Sequence, residues 1–221
     1  MICKKPLVKK QGAFVRKAVY QRLERVINIK LSILICTIPE RTNLLSGLLT
    51  DLNYQIQSLP VEYIYLGDNK RRSIGSKRND LLSLAQGEWI RFVDDDDSIY
   101  DDDIKTVLRL IEEHPDKKVI CFSGTQNEDK KPTLDFRFDR KYGINHRTHH
   151  NGKQVRGMIP NHLCVWKKDV ALLEKFPDVN LSEDHRWAKA MLQHYTEQDQ
   201  IITEDYLYHY EFNREVSECR R

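Results

Sequence analysis

Between residues 31 and 93, three apolar runs of strand length alternate with two segments of helical periodicity. That alternation leaves few folds open. Leu31-Ser32-Ile33-Leu34-Ile35-Cys36 is a nearly continuous apolar run, as expected of a strand buried on both faces. Thr37-Ile38-Pro39-Glu40-Arg41 breaks it, and Leu44, Leu45, Leu48, Leu49 and Leu52 then recur at helical spacing through residues 41–57. Pro60 ends that segment. Residues 61–66 read as a second strand closing on the turn Gly67-Asp68-Asn69, residues 75–86 as a helix before Gly87, and residues 89–93 as a third strand. Such an order implies right-handed crossovers and a mostly parallel sheet. Ligands of these sheets lie beyond the carboxyl ends of the strands. Thr37, Asp68 and Asp94 all fall there.

The rest of the chain continues the pattern less cleanly. Residues 101–114 predict an amphipathic helix and residues 118–122 a strand. Residues 125–160 are polar and rich in Gly, Pro, Lys and His, which predicts hairpins and a mobile loop carrying His146, His149 and His150 on its surface. A strand over residues 161–166, a helix over 168–175, a helix from Glu183 to about Tyr195 capped by Ser182, and a last strand over 201–210 complete the reading.

With 221 residues, 40% hydrophobic and 31% charged, the chain suits one globular domain. It has no apolar stretch of membrane-spanning length, and no apolar core follows the positive start as in a signal peptide. The five cysteines are scattered and never form C-x-x-C. This argues against a zinc site or a disulfide framework and points to the cytoplasm. Charge is uneven. Residues 1–30 hold nine Lys or Arg against Glu24 alone, a balance of +8, so the remaining 27 bases and 32 acids give −5. This basic amphipathic extension, with Val15, Val19, Leu23 and Val26 at helical spacing, either binds a polyanion or docks on the body. Charge divides the chain into an extension over residues 1–30, a globular body over 31–212 and a charged tail over 213–221.

Four residue groups could carry chemistry. The first is Asp94-Asp95-Asp96-Asp97, which ends the third strand with no base in the run. So much like charge at one strand end calls for a cation, and carboxylates suit Mn²⁺ or Mg²⁺ bridging to a diphosphate. The bland alternative is a solvated acidic loop. The second is Glu183-Asp184, either first-turn acids offsetting a helix dipole or a general base. Gly75-Ser76-Lys77-Arg78 is the third, a helix start that suits phosphate. His209, among tyrosines, is the fourth, a metal ligand or a structural histidine.

In this order the motifs resemble the family 2 glycosyltransferases of GT-A fold. The matching pieces are the opening strand through Arg41, Gly67-Asp68-Asn69, Gly75-Ser76-Lys77-Arg78-Asn79, Ala85-Gln86-Gly87-Glu88, the four aspartates and Glu183-Asp184. The resemblance covers residues 31–212 and implies a Rossmann-type α/β sheet flanked by helices. It places Thr37 and Glu40 at the nucleoside and Asp68 at a uracil-type base, with Lys77 and Arg78 near the base or diphosphate. Asp94 and Asp96 become the D-x-D pair, with Asp95 beside them on the donor. Asp96, Asp97 and His209 are then metal ligands, and Asp184, next to Glu183, is the base of an inverting displacement. The Q-x-x-R-W signature of processive synthases is missing, and His185-Arg186-Trp187 only echoes its end.

The resemblance therefore implies a single-addition enzyme using a UDP-type sugar donor. Its acceptor is left open between a modified DNA base and a polysaccharide or lipid-linked glycan, with peripheral contact to an anionic membrane through residues 1–30. Two rivals stand beside it: a nucleotidyltransferase, from the Gly-Ser upstream of an Asp-x-Asp, and a nucleic-acid-binding protein with a vestigial site.

Overall fold

A computed structural model describes residues 28–129, 131–143 and 146–212. Most of the basic extension and the whole C-terminal tail lie outside the described residues. The expected alternation is present. Strand β1 (Leu31–Thr37) leads through a 3-10 turn at Pro39–Arg41 into helix α1 (Thr42–Ile56), then come β2 (Val61–Gly67), α2 (Ile74–Leu84) and β3 (Trp89–Phe92). β1 lies between β2 and β3 and is parallel to both, with Leu31 opposite Val61 on one side and Trp89 on the other. Leu31, Ile33, Leu34 and Ile35 are wholly buried, as a strand covered on both faces requires.

Beyond β3 the sheet becomes mixed. The short β4 (Ser98–Ile99) and α3 (Asp103–Glu113) precede the long β5 (Val119–Glu128), β6 (Lys131–Pro132) and β7 (Phe136–Phe138). A hairpin of β8 (His146–His150) and β9 (Lys153–Met158) follows, then β10 (Val165–Lys167), α4 (Lys168–Ala171), α5 (Glu183–Met191) and β11 (Gln200–Phe212). The main sheet runs β2-β1-β3-β10-β5-β7-β9-β8, and β11 joins β5 in parallel and β4 antiparallel.

Several expected elements take a different form. The three histidines of residues 146–150 sit on a strand rather than a surface loop. Residues 161–164 form a turn held by Cys164 N–H donating to Asn161 O, so β10 starts only at Val165. The helix expected over 168–175 is one turn long. Ser182 does precede α5, but in a left-handed conformation (φ 62°) with no capping bond from its side chain.

Arg91 is the unexpected core residue. It is 1% exposed on β3, forms an ion pair with the fully buried Asp103 of α3, and donates to the carbonyls of Leu163 and Leu207. Removing either partner would strand a charge in the core. This pair ties β3, α3 and β11 together directly beneath the aspartates.

Candidate functional site

A cavity of about 310 Å³ opens at the carboxyl ends of β1 and β3, the size of a small-ligand pocket. Its walls come from the end of β1, the first turn of α2, the aspartates after β3, the first turn of α5, and β7, β9 and the end of β11. Thr37, Lys77, Arg78, Asp94, Asp95, Asp96, Glu183 and Asp184 line it, so most of the expected residues do converge.

The four aspartates occupy four different environments. Asp94 accepts from Arg78 Nη2 at 3.0 Å and lies 3.4 Å from His162 Nε2. Burial alone would raise its carboxyl, but Arg78 and His162 outweigh burial and hold it well below the usual range. Asp95 accepts from Thr37 Oγ1 and Arg41 Nη1, both at 2.7 Å. Its burial still raises it, with those two partners offsetting only part. Asp96 faces Arg41 Nη2 at 3.2 Å. Burial, reinforced by Asp94 and Asp95, pushes it up to about 7. Asp97 turns into the protein, accepting from Tyr208 Oη and the Glu211 N–H, each at 2.7 Å. Burial and its acidic neighbours raise it strongly.

Helix α2 brings two buried cations under this row. Ser73 caps it by accepting from the Ser76 N–H at 3.0 Å. At Gly75 a Cβ would sit 1.8 Å from the Pro177 carbonyl oxygen, so only glycine lets the segment before α5 pack here. Lys77 donates to the Thr37 carbonyl at 3.2 Å and lies 3.7 Å from Asp68. Arg78 spans Asp94 and Glu183, and its guanidinium stacks over Phe92 at 5.0 Å and Phe176 at 5.8 Å. The basic first turn, which opposes the helix dipole, is thus compensated by acids of the chain itself.

Across the cavity, Asp184 accepts from the His185 N–H through Oδ1 at 2.7 Å. Its Oδ2 is 3.8 Å from His162 Nδ1. Burial raises the Glu183 carboxyl despite the nearby Arg78. His162 escaped the sequence reading. It is 4% exposed, and its Nδ1 is buried without a hydrogen bond among the described residues. Its ring lies between Asp94 and Asp184, and Pro160 and Asn161 just before it are the only local signal of a special turn.

Four expected residues lie elsewhere. Asp68 is bound to Arg72 Nε at 3.0 Å, below the cavity wall. Glu40 is exposed and faces Lys70 at 3.5 Å. Asp97 sits behind the aspartate row, as described above. His209 is turned away from the cavity: Thr125 Oγ1 meets its Nδ1 at 2.6 Å and its ring stacks on Tyr100 at 3.8 Å. The reason is strand alternation. Tyr208 reaches Asp97 and Tyr210 lines the cavity, so the residue between them projects from the opposite face.

Comparison with known proteins agrees with this architecture. The glycosyl transferase family 2 model matches residues 51–170, more than half of the chain. "Uncharacterized protein y4gI" of Sinorhizobium fredii is 30% identical over 103 residues, 44% of this chain and 11% of that protein. Among solved structures, residues 1–349 of S. aureus TarS superpose with a TM-score of 0.57 at 15% identity, covering 82% of this chain and 60% of that one. The complex of the same fragment with UDP gives 0.58 at 15% identity (84% and 61%). The complex with UDP-GlcNAc gives 0.58 at 15% identity (82% and 58%). The likeness to TarS is one of fold, and the chain spans about 60% of that fragment and 11% of the curated relative. Family match and superposition together place the chain in glycosyl transferase family 2, with a GT-A-like fold.

Proposed function

We propose that the chain is a divalent-cation-dependent, inverting glycosyltransferase that moves a sugar from a UDP-type donor to an acceptor hydroxyl. One observation carries the reading: Asp94 and Asp96 on one wall and Asp184 on the facing wall share a single cavity, with His162 between them. The TarS complexes with UDP and UDP-GlcNAc support a uridine diphosphate donor for this fold.

The residues fit a hard cation. Four successive carboxylates are faced by only two guanidinium groups, Arg41 and Arg78, and Asp96 lines the open cavity beside them. Asp94 and Asp96 would hold the ion. Among the described residues no group of three or more His, Cys, Asp or Glu forms a ready cage, so phosphate oxygens and water would complete the shell. When bound, Mn²⁺ or Mg²⁺ supplies Lewis-acid stabilisation of the departing diphosphate.

The chain's own groups do the remainder. Lys77 and Arg78, held in place by Asp68, Asp94 and Glu183, fix the floor on which the diphosphate would lie. Asp184 Oδ2 takes the acceptor's hydroxyl proton as that oxygen bonds to the anomeric carbon. The bond from that carbon to the phosphate oxygen breaks, and its electron pair leaves with the nucleoside diphosphate. His162 stands between the base and the cation site, 3.8 Å from Asp184 and 3.4 Å from Asp94.

The test is product release. Incubation with UDP-sugars and Mn²⁺ should liberate UDP, while nucleoside triphosphates should yield no pyrophosphate. Pyrophosphate without UDP would replace this reading by a nucleotidyltransferase.

A further inference from the structure

The layer formed by α2, α4 and α5 has an outer surface that the proposed chemistry leaves unused. The segment joining α4 to α5 runs antiparallel along α2. Asn79 exchanges two hydrogen bonds with the Phe176 backbone, at 2.8 and 2.9 Å, and the Gly75 N–H donates to the Val179 carbonyl at 3.2 Å. On the other flank the Phe176 ring stacks on Trp187 of α5 at 4.7 Å, and Glu174 accepts from Gln193 Nε2 at 2.8 Å. The segment is thus held between two helices, with one side left to solvent.

That side is apolar and basic at once. α4 buries Val170 and Ala171, and the chain then exposes two successive leucines, Leu172 (49%) and Leu173 (55%). Leu181, at the cavity rim, is 62% exposed. Lys175 lies between them in the chain and is exposed, as are Arg186 and Lys189 on α5. Trp187 and Met191 turn into the core, so Arg186 and Lys189, three residues apart, share the outward side of their helix. None of the three cations forms an ion pair with a described acid. The segment's own acids are engaged elsewhere: Asp169 accepts from the Val170 N–H, Asp178 from Ser73 Oγ, and Glu174 meets His194 at 2.8 Å. The basic extension also joins the body beside this layer. Asn28 donates to the Glu88 carboxylate at 3.1 Å, and the Glu88 carbonyl accepts from the N–H of Lys168, where α4 begins.

We propose that this face rests on an anionic lipid bilayer, with Leu172, Leu173 and Leu181 entering the headgroup region and Lys175, Arg186 and Lys189 meeting lipid phosphates. Exposed leucines flanked by bases are what an interfacial contact with anionic lipid requires. A nucleic acid would use the bases and leave the leucines in water. A second copy across a two-fold axis would cover the leucines but bring the cations towards their own images. Residues 1–27, with eight Lys or Arg against Glu24, would add to the same attraction. Among the described residues no helix is long and apolar enough to cross a membrane, and the contact proposed is peripheral. It does not depend on the glycosyltransferase reading.

The test is sedimentation of the full chain with sucrose-loaded vesicles of phosphatidylcholine, alone or mixed with phosphatidylglycerol. Binding should require phosphatidylglycerol. It should weaken about fivefold in Lys175→Gln and in Lys189→Gln, and about tenfold in Leu173→Ser. UDP release from a UDP-sugar with Mn²⁺ should be unchanged in all three. Wild-type vesicle affinity in the three variants would overturn the proposal and leave any lipid binding to residues 1–30. The two lysine variants decide alone should Leu173→Ser unfold. Duplex DNA binding that falls with the lysine variants, without vesicle binding, would overturn it in favour of a nucleic acid. A mass halved by Leu173→Ser in light scattering, with vesicle binding unaltered, would overturn it in favour of a second copy. If UDP release fails in the wild type while vesicle binding follows the variants, the enzyme reading falls and the membrane face stands. If UDP is released but no vesicle binds, only the membrane face falls.

Discussion

The two walls of the cavity are built on opposite terms. On the donor wall, charges are densely paired: Lys77 with Asp68, Arg78 with Asp94 and Glu183, Arg41 with Asp95 and Asp96. The opposite wall combines Phe136, Tyr210 and Phe212 with Arg156 and Met158. A wall fixed by its own ion pairs can meet a diphosphate without reorganising, which is how electrostatic stabilisation acts most effectively. On the proposed function, chemistry and acceptor choice would be separated across one pocket.

The sharpest way to break the comparison is at its meeting point. Asp184→Asn should lower turnover by about 10²–10⁴-fold, the usual worth of general base catalysis, and leave Mn²⁺-dependent UDP binding intact. Equal loss of binding, read by calorimetry, would move Asp184 onto the donor wall. Next in size, Arg78→Met should cost about 3–5 kcal/mol of stability in urea unfolding, because Asp94 and Glu183 lose a buried partner. A neutral result would show that the donor wall is not held by its ion pairs.

Two smaller effects sharpen it. His162→Gln should reduce kcat by up to about 10²-fold through misplacement of Asp184, with little change in donor KM. A change confined to donor KM would instead assign His162 to Asp94 alone. The last concerns pH. The folded chain retains the Asp96 proton up to about 7, whereas an unfolded chain releases it near pH 4. The folded state therefore binds more protons in that window, and stability of the metal-free protein falls as pH rises through it. Asp96→Asn should be more stable than wild type above pH 7 by on the order of 2 kcal/mol, and as stable or less below pH 4. Mn²⁺ with UDP should erase the difference. Parallel unfolding curves at all pH values would mean that burial does not raise the Asp96 carboxyl.

Much of the donor wall was legible before any coordinates. Leu31 to Ile35, the leucines of α1 and the run into Asp94 have periodicities strong enough to set strand, helix and strand, and with them the carboxyl-end crevice. What stayed hidden depends on contacts distant in sequence. Lys77 read as a phosphate ligand, yet it is also the partner of Asp68, nine residues back across a crossover. His162 sits in a turn with no periodicity, and only the fold brings it between Asp94 and Asp184. His209 looked like a ligand because its neighbours, Tyr208 and Tyr210, do reach the site, and a single step along a strand reverses the face. The β8–β9 strands are polar on nearly every residue, so composition suggested hairpins and a mobile loop but not which residues pair.

The account depends most on a cation held by Asp94 and Asp96 for the donor's diphosphate. Isothermal titration of UDP into the wild type, with Mn²⁺ and with chelator, and into Asp96→Ala tests this directly. The account predicts binding with Mn²⁺ that weakens at least about tenfold with chelator and in the variant alike. UDP binding of equal strength with and without the cation, or unaffected by Asp96→Ala, would contradict it.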